Sequence, residues 1–412
     1  MKKFNTDFYL NYIYFYLFVT PWHFFNSQPF ILTSILFIWT IIKFKKEWFY
    51  KLKDRINFIP LIFFILFILY VYISIFWSDS ILIGLEHVNA YFKYYFLIIP
   101  ILMVSLDKEK AILGLKIITI SFGLYSLYSI LIYLGIISID GASITNPKGH
   151  LRYSISTQYM VIAFFSSVFF IYFSKTKEER ILFTIVTFLS FFALFINNSR
   201  TSQITFILIL LIFICLFFGR SIIKNLKYIV LIFFIILVSI YTLFQNGKLD
   251  RFKSAYLDVT TVLGTNEYKG SFGARLFFNK TGIEIFLNNM LFGTGPKDNR
   301  LLLQEIQKYS IEYKGDNGKG RIINHFHNEH LDLLTAYGLV GYLMLFSSFF
   351  LVIYRLKNNK LVFYYSTSVF LTLFFSSLAN KTLSVVPLNL IYIIFFILFV
   401  IIAYDKVETI EK

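Results

Sequence analysis

The side chains best suited to proton transfer form a short polar sequence, His-Phe-His-Asn-Glu-His, at residues 325–330. An apolar run follows at once, which places them at the mouth of a predicted membrane helix. There a histidine can accept a proton from a hydroxyl group near neutral pH, or donate hydrogen bonds to a phosphate. The alternatives are a structural histidine at the interface and a metal site, although the spacing is not the His-Glu-x-x-His of zinc proteases.

Arg200 lies in a very short polar link, residues 197–202, between two apolar runs. If both runs are rigid helices, its guanidinium is held at a fixed depth near the membrane interface. The planar guanidinium fork suits bidentate contact with a phosphate. The alternative is an interfacial arginine that extends its head group toward water.

Arg275 follows Gly273 and Ala274 and opens a predicted amphipathic helix. Free backbone N–H groups at a helix start also attract anions. The helix is predicted to lie on the membrane surface and to end at the Gly-Thr-Gly-Pro turn of residues 293–296. The alternative for Arg275 is an ordinary solvated charge. The apolar positions of this helix are Leu276, Ile283, Phe286, Leu287, Met290 and Leu291.

The elements that must position these residues are membrane helices. Of the 412 residues 57% are apolar and 21% aromatic, and mean hydropathy is +0.68, which excludes an ordinary soluble protein. Lone Cys215 excludes a disulfide framework. The net charge of +16 comes mostly from short loops, so it predicts contact with anionic lipid and not with nucleic acid.

Apolar runs of the length that crosses a bilayer recur along the chain and predict an all-α polytopic membrane protein. Twelve spans are predicted, near residues 8–25, 29–44, 58–77, 89–106, 111–134, 154–174, 181–197, 201–219, 228–245, 330–354, 361–379 and 386–404. This divides the chain into nine helices in residues 1–245, one long hydrophilic segment in residues 246–329 and three helices in residues 330–412.

Clusters of Lys and Arg follow the even-numbered spans, which predicts that those loops and both termini are cytoplasmic. The long segment then faces the opposite, outer side. A small group of basic residues is predicted at the same outer ends against this charge bias, which favours a functional role. The group is Arg152, Arg200, Arg275, His325, His327 and Lys381.

Several motifs of other enzyme classes are missing from the sequence. It has no Walker A loop, no Gly-x-Ser-x-Gly nucleophile elbow and no Asp-x-Asp pair of the kind that binds nucleotide sugars through a metal. An enzyme of this composition would therefore use a substrate that is already activated.

Three motifs, taken in order, resemble the bacterial O-antigen ligase and O-antigen polymerase superfamily of membrane glycosyltransferases. The first is the Asn-Ser-Arg-Thr-Ser link around Arg200. The second is the segment from Gly273-Ala274-Arg275 to the Gly-Thr-Gly turn at 293–295. The third is His327-Asn328 followed, after nine residues, by Gly-Leu-Val-Gly at 338–341.

The resemblance implies a GT-C-like enzyme of the bacterial inner membrane with one long periplasmic loop, no metal and no other cofactor. Its donor would be a glycan on undecaprenyl diphosphate, and its acceptor lipid A-core or another glycan, with inversion at the anomeric carbon. Carried over to this sequence, Arg200 and Arg275 would bind the diphosphate and His327 would activate the acceptor. His325, Asn328, Arg152 and Lys381 are assigned to substrate binding because they lie at the same outer ends.

Ligase and polymerase share these motifs, and the Gly-Ala-Arg segment with its Ile/Phe-rich helix favours a ligase. Transfer to a protein acceptor is a third possibility. From a different class, a transporter or flippase would carry charged or helix-breaking residues near the bilayer midplane. Here the polar residues concentrate at the outer ends, which favours an enzyme.

Overall fold

A computed structural model describes residues 7–197, 199–218, 250–315 and 322–405. Within these ranges the chain forms sixteen α-helices and a pair of very short parallel strands. The helices are α1 (Phe8–Val19), α2 (Gln28–Phe44), α3 (Glu47–Ile56), α4 (Ile59–Ile73), α5 (Ile81–Phe92), α6 (Tyr95–Ser105), α7 (Lys108–Tyr133), α8 (Tyr153–Phe173), α9 (Lys177–Ile196), α10 (Arg200–Phe218), α11 (Asp250–Thr265), α12 (Gly270–Asn288), α13 (Asp298–Tyr309), α14 (Glu329–Leu356), α15 (Lys360–Ser377) and α16 (Val386–Tyr404). The strands are β1 (Tyr268–Lys269) and β2 (Tyr313–Gly315).

The architecture confirms an all-α polytopic membrane protein. In the described residues, eight helical segments are long and apolar enough to span a membrane, or nine if α2 and α3 count as one bent span. The count of twelve is not reached, partly because α1 has 12 residues and rises only about 18 Å against the ~30 Å hydrocarbon layer. The predicted span at 228–245 lies outside the described residues.

Two boundaries differ from those that the sequence predicts. The chain after α2 bends by 107° and continues as α3, where the sequence predicts a basic loop. The span expected to begin near residue 89 begins at Ile81, as α5 and α6 in series. His87 therefore lies in α5, where it lines a polar cavity described below.

The helix α16 forms the centre of the bundle. Every residue from Pro387 to Ala403 is buried, because α16 packs against α5, α6, α7, α14 and α15. Two buried polar side chains of α16 are satisfied inside the bundle: Asn389 accepts from Tyr95 at 2.5 Å, and Tyr392 donates to Gln158 at 2.8 Å. Such buried hydrogen bonds fix the rotation of the central helix against its neighbours.

The extramembrane helices α12 and α13 pack beside the start of α14, and α11 packs against α12. Phe278, Leu303 and Phe326 form part of a separate apolar cluster there. The predicted surface helix is present as α12, but it begins at Gly270, so Arg275 lies in its second turn and not at its start. Ile283 and Leu287 are about half exposed, as suits a helix whose outer face contacts the membrane surface.

Candidate active site

His327 lies at the junction between the extramembrane segment and α14. Its backbone adopts a left-handed conformation with φ of 54°, which is uncommon for a residue other than glycine. Asn328 follows as the N-cap of α14 and accepts hydrogen bonds from the backbone N–H of His330 and Leu331 at 3.1 and 3.3 Å. Asn328 also donates to Asn279 of α12 at 3.1 Å. Hydrogen bonds of Asn328 therefore fix this junction both to α14 and to α12.

The rings of His325 and His327 pack edge to face with centroids 3.9 Å apart, and His327 also stacks on Phe278. Burial, together with the positive charges of Arg275 and Lys381, lowers the pKa of His327 to about 4. Burial and the neighbouring His327 lower the pKa of His325 to about 2. Both imidazoles are therefore neutral at pH 7 and can accept a proton or a hydrogen bond.

Besides Arg300, described below, three cations lie near enough to act electrostatically on this histidine pair: Arg275 from α12, Arg152 at the start of α8, and Lys381 between α15 and α16. Burial and the neighbouring Arg300 lower the pKa of Lys381 to about 8. In the described part of the chain, these three side chains make no hydrogen bond or ion pair. Unpaired positive charge gathered in one place favours an anionic ligand.

Arg200 begins α10 at the same end of the bundle. Ser202, one turn into α10, lies 2.7 Å from Thr157 in the first turn of α8, which itself starts just after Arg152. Of the predicted site residues, the structure brings together His325, His327, Arg152, Arg275 and Lys381. It places the backbone of Arg200 beside the helix start that carries Arg152.

Arg300 is a member of this region that sequence analysis did not single out. The side chain is buried, pairs with Asp332 of α14 at 3.2 Å and donates to Ser384 at 2.9 Å. Burial lowers the pKa of Arg300, but the carboxylates of Asp332 and Glu329 raise it by more, so the guanidinium stays charged. A single signal points to it in the sequence: two acidic residues in the first turn of a membrane helix need a buried cation.

Glu329 is also buried and was not predicted as a site residue. Its carboxylate accepts hydrogen bonds from the backbone N–H of Thr382 at 2.9 Å and from the hydroxyl of Ser384 at 2.7 Å. The first turn of α14 is therefore tied to residues 378–385, which we call the α15–α16 link.

A cavity of about 20 Å³ lies beside this buried group, lined by His87, Asn299, Arg300, Glu329 and Asp332 among others. One carboxylate oxygen of Asp332 and the amide oxygen of Asn299 have no protein partner. A cavity of this size has room for one water molecule, which needs two or more polar partners. The two acceptors fit a bridging water.

Two glycine motifs position the start of α14. At Gly338 the helix breaks, with φ of 63° and ψ of −170°, a conformation that only glycine adopts readily. A Cβ on Gly338 would lie 2.2 Å from the carbonyl oxygen of Leu291, and one on Gly293 would lie 2.4 Å from that of Ala336. The Gly-Thr-Gly turn therefore docks backbone to backbone against the broken helix. Hydrogen bonds from Thr294 to Thr335 (2.9 Å) and from Leu339 to Met290 (2.8 Å) close the contact.

His330 points away from the histidine pair into the bundle. Its ring nitrogens contact the carbonyl of Phe374 at 2.9 Å and the hydroxyl of Tyr342 at 3.0 Å. Among the described residues, no group of three His, Cys, Asp or Glu side chains is arranged to hold a metal ion.

Residues 185–346 match the family model described as O-antigen ligase. This match supports the O-antigen ligase superfamily. The matched range contains Arg200, Arg275 and His327 together with the two glycine motifs, whereas Arg152 and Lys381 lie outside it. A comparison with curated proteins finds no match. The match indicates ligase-type or polymerase-type activity on a lipid-linked glycan in general.

Proposed function

We propose that the protein is an O-antigen ligase that moves a glycan from undecaprenyl diphosphate to a sugar hydroxyl of lipid A-core, without a metal and with inversion. The observation that carries the proposal is a cluster of three cations, without ion-pair partners among the described residues, near two neutral histidines at one end of a membrane bundle. A lipid diphosphate supplies the negative charge that would pair with these cations. Its prenyl chain would lie in the bilayer around the helix bundle.

Arg275, Arg152 and Lys381 would hold the diphosphate, with Arg200 approaching from α10. The bond between the anomeric carbon and the phosphate oxygen breaks, and negative charge grows on the leaving diphosphate. Fixed cations in a partly buried site stabilise that charge more than water does, because they need not reorganise during the reaction. The cations thereby replace the metal that nucleotide-sugar enzymes use.

His327 would accept the proton of the attacking hydroxyl. With a pKa of about 4 it is a weak base in the free protein. A bound diphosphate would raise this pKa, since nearby negative charge favours the imidazolium form. The acceptor oxygen then forms the new bond to the anomeric carbon, its proton goes to His327, and undecaprenyl diphosphate leaves. His327 would therefore become a stronger base only when the donor is bound.

We place this site on the periplasmic face of the bacterial inner membrane, with both termini and the basic loops in the cytoplasm. The positive-inside rule supports this orientation, because Lys and Arg cluster in the short loops at the opposite end. Residues 246–329 would then form a periplasmic platform against which the acceptor docks. Membrane lipids are the remaining partners.

Deletion of the gene tests the proposal directly. A ligase deletion leaves lipid A-core without glycan, while polymerised glycan accumulates on undecaprenyl diphosphate. Core that carries one repeat unit would instead identify a polymerase. Retention of lipid-linked units on the cytoplasmic side would identify a flippase. Complementation with the wild-type chain and with His327→Asn, at equal membrane abundance, shows whether the phenotype depends on the site.

A further inference from the structure

The region that carries Lys381 has no regular structure of its own. Lys381 lies in the α15–α16 link, and in the described chain its ammonium group makes no hydrogen bond. A lysine on such a link would ordinarily sample many positions. Yet Lys381 is largely buried beside His325 and His327, to both of which it contributes positive charge. Specific contacts must therefore hold the α15–α16 link against the start of α14.

The holding contacts come from Glu329. This residue follows His327 by two positions, and its carboxylate binds Thr382 and Ser384, which flank Leu383 just after Lys381. One carboxylate therefore connects the backbone that carries the histidine pair with the backbone that carries the lysine. Hydrogen bonds to a buried carboxylate are among the stronger ones in proteins.

Arg300 adds a third segment to the same group. It reaches Ser384 of the link and Asp332 of α14 from the extramembrane helix α13. Glu329, Arg300 and Asp332 are all at most 5% exposed. Truncation of Arg300 or Asp332 would leave the other buried charge without its ion-pair partner. Glu329 shares the Ser384 hydroxyl with Arg300, so the three side chains are coupled.

We propose that Glu329, together with Arg300 and Asp332, is a positioning group that sets the place and the charge of Lys381 relative to His327. This inference rests on the proposed function, because it takes Lys381 as a ligand of the donor diphosphate. None of the three residues touches the substrate in this scheme. They act through the α15–α16 link.

The charge balance around Lys381 follows from its neighbours. Arg300 and Arg152 oppose its positive charge, whereas Asp332 and Glu329 favour it, so loss of a carboxylate lowers the pKa of Lys381 below about 8. A lysine that loses its proton at a lower pH binds a diphosphate over a narrower pH range. The charged and titratable groups that interact with it are His87, Arg152, Arg300, His325, His327, Glu329 and Asp332.

The test compares Glu329→Gln with Glu305→Gln, an exposed glutamate on α13, in full-length protein with an undecaprenyl-diphosphate-linked glycan as donor. Glu329→Gln should raise the donor KM about tenfold or more, with a smaller change in kcat, and move the alkaline limb of kcat/KM about one pH unit lower. Glu305→Gln should match the wild type. A merely structural defect would lower the active fraction and leave KM and the pH limb unchanged, which would overturn the proposal.

A double-mutant cycle asks whether Glu329 acts through Lys381. In the Lys381→Met background, Glu329→Gln should lower kcat/KM for the donor only slightly. If the losses of kcat/KM from the two single variants instead multiply in the double variant, the two residues act independently and the inference is refuted. Should Glu329→Gln fail to fold, Ser384→Ala removes the hydroxyl shared by Glu329 and Arg300, and it should raise the donor KM several-fold. An unchanged KM there also counts against the positioning group.

The same assay separates this inference from the proposed function. Wild-type transfer by His327→Asn would refute the catalytic proposal itself. Wild-type kinetics for Glu329→Gln and Ser384→Ala, beside inactive His327→Asn and Lys381→Met, would refute only the positioning role.

Discussion

At the basic end of the bundle, where α2 ends and α7 begins, cations lie against carboxylates. At the opposite end, Arg152, Arg275 and Lys381 have no such partner in the described chain, whereas the buried Arg300 is paired with Asp332. A paired charge needs no ligand, whereas unpaired charge held in a partly buried place does. The pairs of the basic end are Lys43 with Asp7 at 2.5 Å, Lys110 with Asp107 at 2.5 Å, Lys116 with Glu179 at 2.7 Å, and Arg55 with Asp405 at 3.4 Å.

The largest effect is expected at His327. His327→Asn keeps a residue that tolerates the left-handed backbone but removes the base, so transfer should fall about 10²- to 10⁴-fold. The measurement is glycan transfer in vitro by purified protein. His23 has a similar φ of 45°, so His23→Asn is the matched control and should keep its activity. Comparable loss in both variants would point to a backbone effect.

The next largest effect concerns the framework of the site. Gly338→Ala introduces a Cβ 2.2 Å from the carbonyl oxygen of Leu291, whereas one on Gly264 has open space. Backbone strain and overpacking together should cost roughly 2–4 kcal/mol. A lower Tm in detergent for Gly338→Ala, with Gly264→Ala near the wild type, checks this. Equal Tm values would mean that the glycine contact is dispensable.

Arg275→Lys separates charge from geometry. The point charge of lysine cannot reproduce a bidentate contact with phosphate, so kcat/KM for the donor should fall about tenfold, or about 1.4 kcal/mol. Lys280→Arg on the same helix alters an exposed cation that already pairs with Glu312 at 3.1 Å, and it should change nothing. Full activity of Arg275→Lys would show that charge alone suffices.

The pH dependence is expected to show a smaller effect. Lys381, with a pKa of about 8, loses its charge as pH rises, so donor binding should weaken above pH 8. The low pKa of His327 means that the neutral base survives down to about pH 4 in the free protein. Lys381→Arg keeps its charge well above pH 8 and should move the alkaline limb of kcat/KM upward. If the alkaline limb does not move, a group other than Lys381 is responsible for it.

The smallest effect is expected at the basic end. Lys43→Gln removes a partly exposed ion pair with Asp7, and such pairs contribute about 0–1 kcal/mol. Transfer should stay within about twofold of the wild type. A large loss of transfer in this variant would break the contrast between the two ends, because it would give function to a paired cation.

Much of this protein could be predicted from the sequence. Apolar length and composition determine that the chain is a bundle of membrane helices, because a bilayer accepts few other folds. Motif order singled out His327, Arg275 and the glycine turn, and the prediction that the site residues share one end of the bundle followed from counting spans. The count itself was less secure, because short helices such as α1 and bends such as that before α3 leave little trace in hydropathy.

Only the tertiary structure decided which charges are satisfied. In the sequence, Arg300 and Arg275 are both arginines of one polar segment, yet Arg300 is buried against Asp332, while Arg275, near His327, has no ion-pair partner in the ranges that the structure describes. The role of Glu329 depends likewise on Thr382 and Ser384, some fifty residues away. Hydropathy and motifs act locally along the chain, whereas burial and pairing of a charge depend on segments that meet only after folding.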